Sequence, residues 1–205
     1  MRTKYKQWAV DYVDEHPEIA IQKLDLTDPF FTEKDVIFEV GSGKGDFIAA
    51  LSLNHPEYNF LAIERVKTVA GMMAKKLVEQ GNKNVKVFPW NAELIFDEIK
   101  EGFVHSVYLN FVDPWPKKRH EKRRLTYITF LEQYYRILRK GGRLYFKSDN
   151  DGLYEYTKEE IAKTKFKVIS DQEDYKFDAD NDYITEYENK FRSIGKSIHR
   201  IILEK

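Results

Sequence analysis

The stretch VIFEVGSGKGDFIAALSLN, residues 36–54, predicts how this 205-residue chain folds. Its first five residues, Val36–Val40, form a short, mostly apolar run typical of a buried strand. Three glycines at alternate positions follow in residues 41–45 and allow a tight turn with close approach of a ligand to the backbone. Residues 46–54 predict a helix whose free N–H groups attract anionic or polar ligands. The stretch therefore reads as a strand, a turn and a helix, the first unit of an α/β fold.

The same alternation continues along the chain. Strands are predicted at residues 59–64, 84–88, 106–112, 143–147, 166–170 and 197–203, and helices at about 66–80, 93–100, 125–139 and 152–164. Lys140-Gly141-Gly142 is predicted to cap the helix that precedes it. Alternating strands and helices indicate βαβ units and a mainly parallel sheet, in which ligands bind beyond the carboxyl ends of the strands.

Length and composition indicate a single large domain. We expect it to span residues 31–205, preceded by an N-terminal helical arm over residues 1–30 that is in part disordered. The absence of cysteine excludes disulfides and thiol catalysis, and the five histidines lack metal-binding spacing, so no metal is expected. No secretory h-region or run of 18 apolar residues occurs, so we expect a cytoplasmic protein without a membrane partner.

Positive charge is concentrated in one segment although the chain as a whole is neutral. Residues 117–124, KKRHEKRR, which we call the basic segment, hold six Lys or Arg and one Glu, a net charge of +5. The rest of the chain therefore carries −5. Local potential decides binding to a polyanion, so the neutral total does not argue against a nucleic-acid partner.

Polar residues follow each of the first three predicted strands. Glu39 lies two residues before Gly41, Glu64 ends the second strand, and Asn91 follows the third. The turn matches neither the phosphate-binding GxxxxGK[ST] pattern nor the dinucleotide GxGxxG pattern, and a carboxylate beside it disfavours a pyrophosphate. An acid at the end of the second strand is where a ribose diol is gripped. These residues predict a site for adenosine with an uncharged or cationic tail, which S-adenosylmethionine fits better than ATP or NAD.

Five motifs carry a resemblance to a known family: EVGSGKG (39–45), AIE (62–64), FVDPWPKKRHEKRRLT (111–126), KGGRLYFKSDN (140–150) and TEYENKFRSIGKSIHR (185–200). The chain resembles the class I S-adenosylmethionine-dependent methyltransferases, and more closely the bacterial tRNA (guanine-N7)-methyltransferases of the TrmB type. The resemblance implies a Rossmann-like α/β sheet of seven mostly parallel strands, with helices on both faces and an antiparallel last strand. It leaves the oligomeric state open between monomer and homodimer.

The resemblance also implies roles for individual residues. S-adenosyl-L-methionine, released as S-adenosyl-L-homocysteine, would bind at Glu39, Gly41, Gly43, Glu64, Asn91 and Asp113. Asp113 would also be the catalytic residue. The guanine would bind at Lys117, Asp149, Thr185, Glu186, Tyr187 and Glu188, and the tRNA at Arg119, His120, Glu121, Lys122, Arg123 and Arg124. The family usually has Asp where this chain has Asn91, and an amide oxygen can still accept a hydrogen bond from adenine.

The implied reaction is methylation of guanine N7 at position 46 in the tRNA variable loop. Two alternatives remain open at this stage. Asp113-Pro-Trp-Pro is similar to the turn of amino-methyltransferases, which would make the product an exocyclic methylamine, and a chain with a decayed cofactor site would only bind tRNA. Thr185 and Glu188 could in addition form a capping box at the start of a helix.

Overall fold

The computed structural model describes residues 4–178 and 182–205. They form two compact units, of which the first ends at Lys100 and the second begins at Glu101.

The first unit is built on three parallel strands. They are β1 (Val36–Val40), β2 (Asn59–Ile63) and β3 (Val85–Phe88), in the order β3-β2-β1. Every residue of β1 and β2 is buried. Strands covered on both faces need near-continuous apolar runs, which is the pattern that the sequence shows here.

Five helices accompany these strands: α1 (Gln7–Glu15), α2 (Pro29–Thr32), α3 (Asp46–Asn54), α4 (Lys67–Gln80) and α5 (Glu93–Phe96). Helix α1 packs closely on α4, because a Cβ added at Gly71 would lie 1.7 Å from the carbonyl oxygen of Ala9. Ala20 forms an isolated parallel bridge with Val87 of β3. The N-terminal segment up to this bridge therefore lies against the first unit, and the predicted domain boundary at residue 30 stays a prediction.

The second unit has four strands in the order β4-β5-β7-β6. They are β4 (Val104–Asn110), β5 (Leu138–Ser148), β6 (Lys167–Gln172) and β7 (His199–Glu204). Strand β5 is parallel to β4, and β7 is antiparallel to both β5 and β6. A 3₁₀ helix (Lys118–Arg123) and helices α6 (Ile128–Ile137), α7 (Asp151–Ile161) and α8 (Glu186–Ser193) complete the unit.

The predicted cap at Lys140-Gly141-Gly142 is wrong. Helix α6 ends at Ile137, and the three residues lie inside β5, which begins at Leu138. Gly141 has a φ of +73°, and a Cβ added at Gly142 would lie 2.8 Å from the carbonyl oxygen of His105. Gly142 therefore allows a close approach of β5 to β4, and Gly141 allows the left-handed backbone beside it. In the sequence, such a pair of glycines resembles a helix end.

The predicted fold class is confirmed: seven strands, mostly parallel, with antiparallel pairing confined to β7 and helices around them. None of the helices within residues 4–178 and 182–205 is long and apolar enough to cross a membrane.

Candidate active site

The glycine turn after β1 presents open backbone. Gly41 and Gly43 have φ angles of +81° and +55°, which side chains with a Cβ rarely adopt. A Cβ added at Gly43 would meet no atom within 4 Å, so there is space in front of this residue for a ligand. Glu39, at the carboxyl end of β1, is 2% exposed, and its carbonyl oxygen accepts a hydrogen bond from the Ser42 hydroxyl at 2.9 Å.

Glu64 fixes the turn to the end of β2. Its Oε2 accepts a hydrogen bond from the N–H of Gly43 at 3.1 Å, and its Oε1 accepts one from the N–H of Val66 at 2.8 Å. A carboxylate oxygen has more than one acceptor position, so both oxygens can still accept from ribose hydroxyls. The open glycine backbone and this oriented acid therefore fit an adenosine-type cofactor.

Asn91 lies just before α5 and is exposed. Its Nδ2 donates a hydrogen bond to Oε2 of Glu93 at 2.7 Å, and its Oδ1 lies 3.4 Å from the N–H of Glu93. The amide of Asn91 thus holds a carboxylate beside it, a contact that an aspartate at this position could not make.

The segment after β4 is a strained turn. Phe111 and Trp115 have φ angles of 52° and 40°, and they are the non-glycine residues with positive φ within the described chain. Such conformations cost about 1–3 kcal/mol each and persist only where surrounding structure enforces them. Asp113 lies between them and is exposed. The turn, residues 111–115, therefore displays the predicted catalytic carboxylate on a backbone that needs support.

Two contacts support this turn. The N–H of Phe111 donates to the carbonyl oxygen of Lys147 at 2.9 Å. The guanidinium of Arg124 donates to the carbonyl oxygens of Pro114 and Trp115.

The structure brings two of the predicted site residues, Asp149 and Tyr187, into contact. The hydroxyl of Tyr187 lies 3.4 Å from Oδ1 of Asp149, and its ring centroid is 5.1 Å from that of Phe111. Burial raises the pKa of Tyr187 to about 12, and the charges of Asp149 and Asp113 add to the shift. The carboxylate of Asp149 therefore lies beside Tyr187, where it can accept from a planar group with several N–H donors.

Lys196 belongs to this cluster, and the sequence did not reveal it. Its Nζ lies 3.1 Å from Oδ2 of Asp149. The signal was weak, since Lys196 is one of two lysines in the closing motif, TEYENKFRSIGKSIHR. Only the approach of β7 to the end of β5, where Ser148 pairs with His199, places this lysine near Asp149.

The closing segment combines a helix cap with a buried ion-pair network. The hydroxyl of Thr185 accepts from the N–H of Glu188 at 2.9 Å, so Thr185 is the N-cap of α8 and makes one of the two hydrogen bonds of the predicted capping box. Glu188 is fully buried, and its carboxylate contacts Lys147 at 3.0 Å and Arg192 at 2.7 Å. Lys147 also lies 2.9 Å from Asp182. The carboxylate of Glu188 is thus engaged in the interior.

Glu186 was also predicted to bind the substrate, and it is the first residue of α8. Its side chain lies outside the described part of the structure.

The basic segment divides by exposure. Lys117, Lys118, Arg119, Lys122 and Arg123 are exposed, whereas His120, Glu121 and Arg124 are half-buried. Partial burial and the charges of Arg123, Arg119 and Lys117 lower the pKa of His120. The exposed cations thus create a positive potential that phosphates would meet first. Within the described ranges, no three His, Asp or Glu side chains are grouped so as to hold a metal ion.

The known proteins to which this chain is similar are methyltransferases. A protein-family model described as "Putative methyltransferase" matches residues 33–201. The chain is 41% identical to a tRNA (guanine-N(7)-)-methyltransferase of Staphylococcus saprophyticus, covering 98% of both chains. It is also 41% identical to an enzyme of the same name from an Exiguobacterium species, covering 98% of this chain and 96% of the relative.

Among solved structures, the chain is similar in fold to an antibiotic-related methyltransferase, with a TM-score of 0.66 and 19% identity, covering 90% of this chain and 97% of the other. A methyltransferase from Aquifex aeolicus that depends on S-adenosylmethionine has a TM-score of 0.58 and 15% identity, with 98% of both chains covered. At these identities, the similarity shows the fold.

Proposed function

Because the chain belongs to the tRNA (guanine-N7)-methyltransferase family, we propose that it transfers a methyl group from S-adenosyl-L-methionine to N7 of guanine 46 in the tRNA variable loop. The observation that carries the proposal is the full-length identity of 41% to enzymes of this name. The turn 111–115, which displays Asp113, is consistent with it.

Residues of the first unit would hold the cofactor. Glu64, already oriented by the N–H groups of Gly43 and Val66, would accept from the ribose hydroxyls. Gly41 and Gly43 would let the backbone approach the ligand, Glu39 would face its cationic portion, and Asn91 would accept from the adenine amine. The cofactor supplies a methyl group on a sulfonium, which gives a carboxylate such as Glu39 an electrostatic role.

Residues of the second unit would hold the guanine. N7 offers a lone pair and loses no proton on methylation, so the reaction needs no general base. The purine gains positive charge as the bond forms, and a carboxylate held nearby, Asp113 or Asp149, stabilises that charge. Asp149 would accept from N1–H and N2–H of the guanine, Tyr187 would pack beside it, and Lys117 would contact the substrate.

The exposed cations of the basic segment would bind the tRNA backbone. Lys and Arg bind phosphates without reading base sequence and release counterions as they do so. Recognition of the tRNA would then depend mainly on its folded shape, with the target base drawn out of its stack. We place the protein in the cytoplasm, where its substrate is found. The oligomeric state stays open between monomer and homodimer, and sedimentation equilibrium would distinguish the two.

The proposal is tested with purified protein, methyl-labelled S-adenosylmethionine and an unmodified tRNA transcript. Borohydride and aniline treatment cuts RNA at N7-methylguanine. We expect label incorporation and a single cut in the variable loop, and the matched control is a transcript in which guanine 46 is replaced by adenine. Label without a cut would contradict N7 as the target and favour the exocyclic amine. Binding of tRNA without label would favour a module that only binds RNA.

A further inference from the structure

Arg124 differs from the other arginines and lysines of the basic segment. It is half-buried, whereas Lys117, Lys118, Arg119, Lys122 and Arg123 are exposed. Its main chain is also held on both sides, because its N–H donates to the carbonyl oxygen of Glu121 at 3.0 Å and its carbonyl oxygen accepts from the N–H of Tyr127 at 3.0 Å. The main chain of Arg124 is therefore fixed in place. A flexible side chain that only contacts a phosphate would not require this.

The guanidinium of Arg124 is directed at the turn 111–115. Its Nε donates to the carbonyl oxygen of Pro114 at 3.0 Å, and its Nη2 donates to the carbonyl oxygen of Trp115 at 3.1 Å. Pro114 and Trp115 are the two residues that follow Asp113. Arg124 thus binds the main chain directly next to the predicted catalytic carboxylate.

The guanidinium of Arg124 also contacts an aromatic ring. The Cζ of Arg124 lies 4.0 Å from the centroid of the Tyr156 ring, on α7. A planar guanidinium stacks well on such a face, which orients its N–H groups in one plane. Tyr156 is half-buried, and burial raises its pKa to about 12, so its ring stays neutral at the pH of the cell.

We propose that Arg124 is a positioning residue for Asp113, holding the strained turn 111–115 in place, rather than a contact to a tRNA phosphate. Phe111 and Trp115 have positive φ angles on either side of Asp113, and such a backbone persists only where its surroundings enforce it. Arg124 supplies that enforcement at the two carbonyl groups after Asp113. This inference rests on the proposed function, since the position of Asp113 matters through methyl transfer.

Lysine could not replace Arg124 in this role. The guanidinium has a rigid fork of donors that reaches two carbonyl oxygens at once, whereas an ammonium is a point charge on a flexible stem. Lysine would nevertheless preserve the charge that a phosphate contact needs. The substitution Arg124→Lys therefore separates the two roles.

The experiment measures two quantities for the full chain: kcat at saturating tRNA and S-adenosylmethionine, and the salt dependence of tRNA binding. For Arg124→Lys and Arg124→Gln we expect kcat to fall about 10- to 100-fold, the scale of a misplaced catalytic group. For Arg124→Gln we expect the slope of log K against log salt to stay unchanged. The matched control is Arg119→Gln, an exposed neighbour, which should lower that slope by about 0.7–0.9.

A second pair of variants guards against a general loss of folding. Tyr156→Leu removes the stacking face and should reproduce the fall in kcat, whereas Tyr156→Phe keeps the ring and should recover most of it. An unchanged kcat in Arg124→Lys would overturn the proposal, as would a lowered salt slope in Arg124→Gln. If the parent protein made no N7-methylguanine, the proposed function would fail, and the salt slopes would still distinguish support of the turn from phosphate binding.

Discussion

At the scale of single residues, Asp113 is where we expect charge to matter most. Asp113→Asn keeps the shape of the side chain and removes its charge, so the positive purine loses stabilisation as the methyl bond forms. We expect single-turnover methylation to slow by about 100- to 1,000-fold. Filter binding should show an almost unchanged affinity for tRNA. Asp97→Asn, an exposed aspartate at the end of α5, is the control. A rate near that of the parent would remove Asp113 from catalysis.

Asn91 and Glu93 should be coupled in cofactor binding. Aspartate at position 91 would lose the hydrogen bond to Glu93 and set two carboxylates together. We therefore expect Asn91→Asp to bind S-adenosyl-L-homocysteine no more tightly than the parent. Adding Glu93→Gln should restore a donor and tighten binding about five-fold, because a charged acceptor adds about 1 kcal/mol. Calorimetry of both single variants and the double variant checks this, and tighter binding by Asn91→Asp alone would contradict it.

At the scale of elements, the 3₁₀ helix of the basic segment should set the salt dependence of tRNA binding. Arg119 and Lys122 are exposed on this helix. Replacing both with Gln should lower the slope of log K against log salt by about 1.4–1.8, if each residue makes one phosphate contact. Exposed Lys83→Gln, far along the chain in the first unit, is the comparison. A slope equal to that of the parent would show that this helix does not bind phosphates.

The docking of α8 should depend on its buried ion pairs. Glu188→Ala would leave Lys147 with one fewer partner in the interior, and removing one member of a buried pair costs about 3–5 kcal/mol. We expect that loss in the free energy of unfolding, measured in urea. Glu79→Ala breaks an exposed pair with Lys75 on α4, and it should cost less than about 1 kcal/mol. Equal losses in the two variants would argue against the network.

At the scale of the whole molecule, tyrosines should make the protein sensitive to alkali. Burial raises the pKa values of Tyr156, Tyr175 and Tyr187 to about 12. Unfolded tyrosine ionises near pH 10, so this stabilisation is full below about pH 10 and is lost as the pH rises towards the folded values. We expect the urea midpoint to fall over that range. Tyr175→Phe, at a buried ring, should reduce the fall, and exposed Tyr5→Phe should not. A constant midpoint up to pH 11.5 would contradict the assignment.

The sequence by itself determined the fold class and the identity of the polar residues at the strand ends. A short, mostly apolar run such as Val36–Val40 is consistent with a buried strand, and the GSGKG turn after it requires glycine. Local pattern and backbone geometry therefore agree. The local pattern was wrong at Gly141 and Gly142, which resemble a helix end but lie in β5. Gly142 is needed because β4 approaches closely, and Gly141 has a positive φ.

Only the tertiary structure decided which partners the charged side chains bind within the fold. Arg124, Lys196 and Glu188 look alike in sequence to their exposed neighbours, but the first binds the turn 111–115, the second Asp149, and the third Lys147 and Arg192. Arg192 lies four residues after Glu188 on α8, but the other partners are separated by 9 to 47 residues along the chain. No local periodicity encodes such pairings, because they arise from the packing of whole strands and helices, which brings distant side chains together.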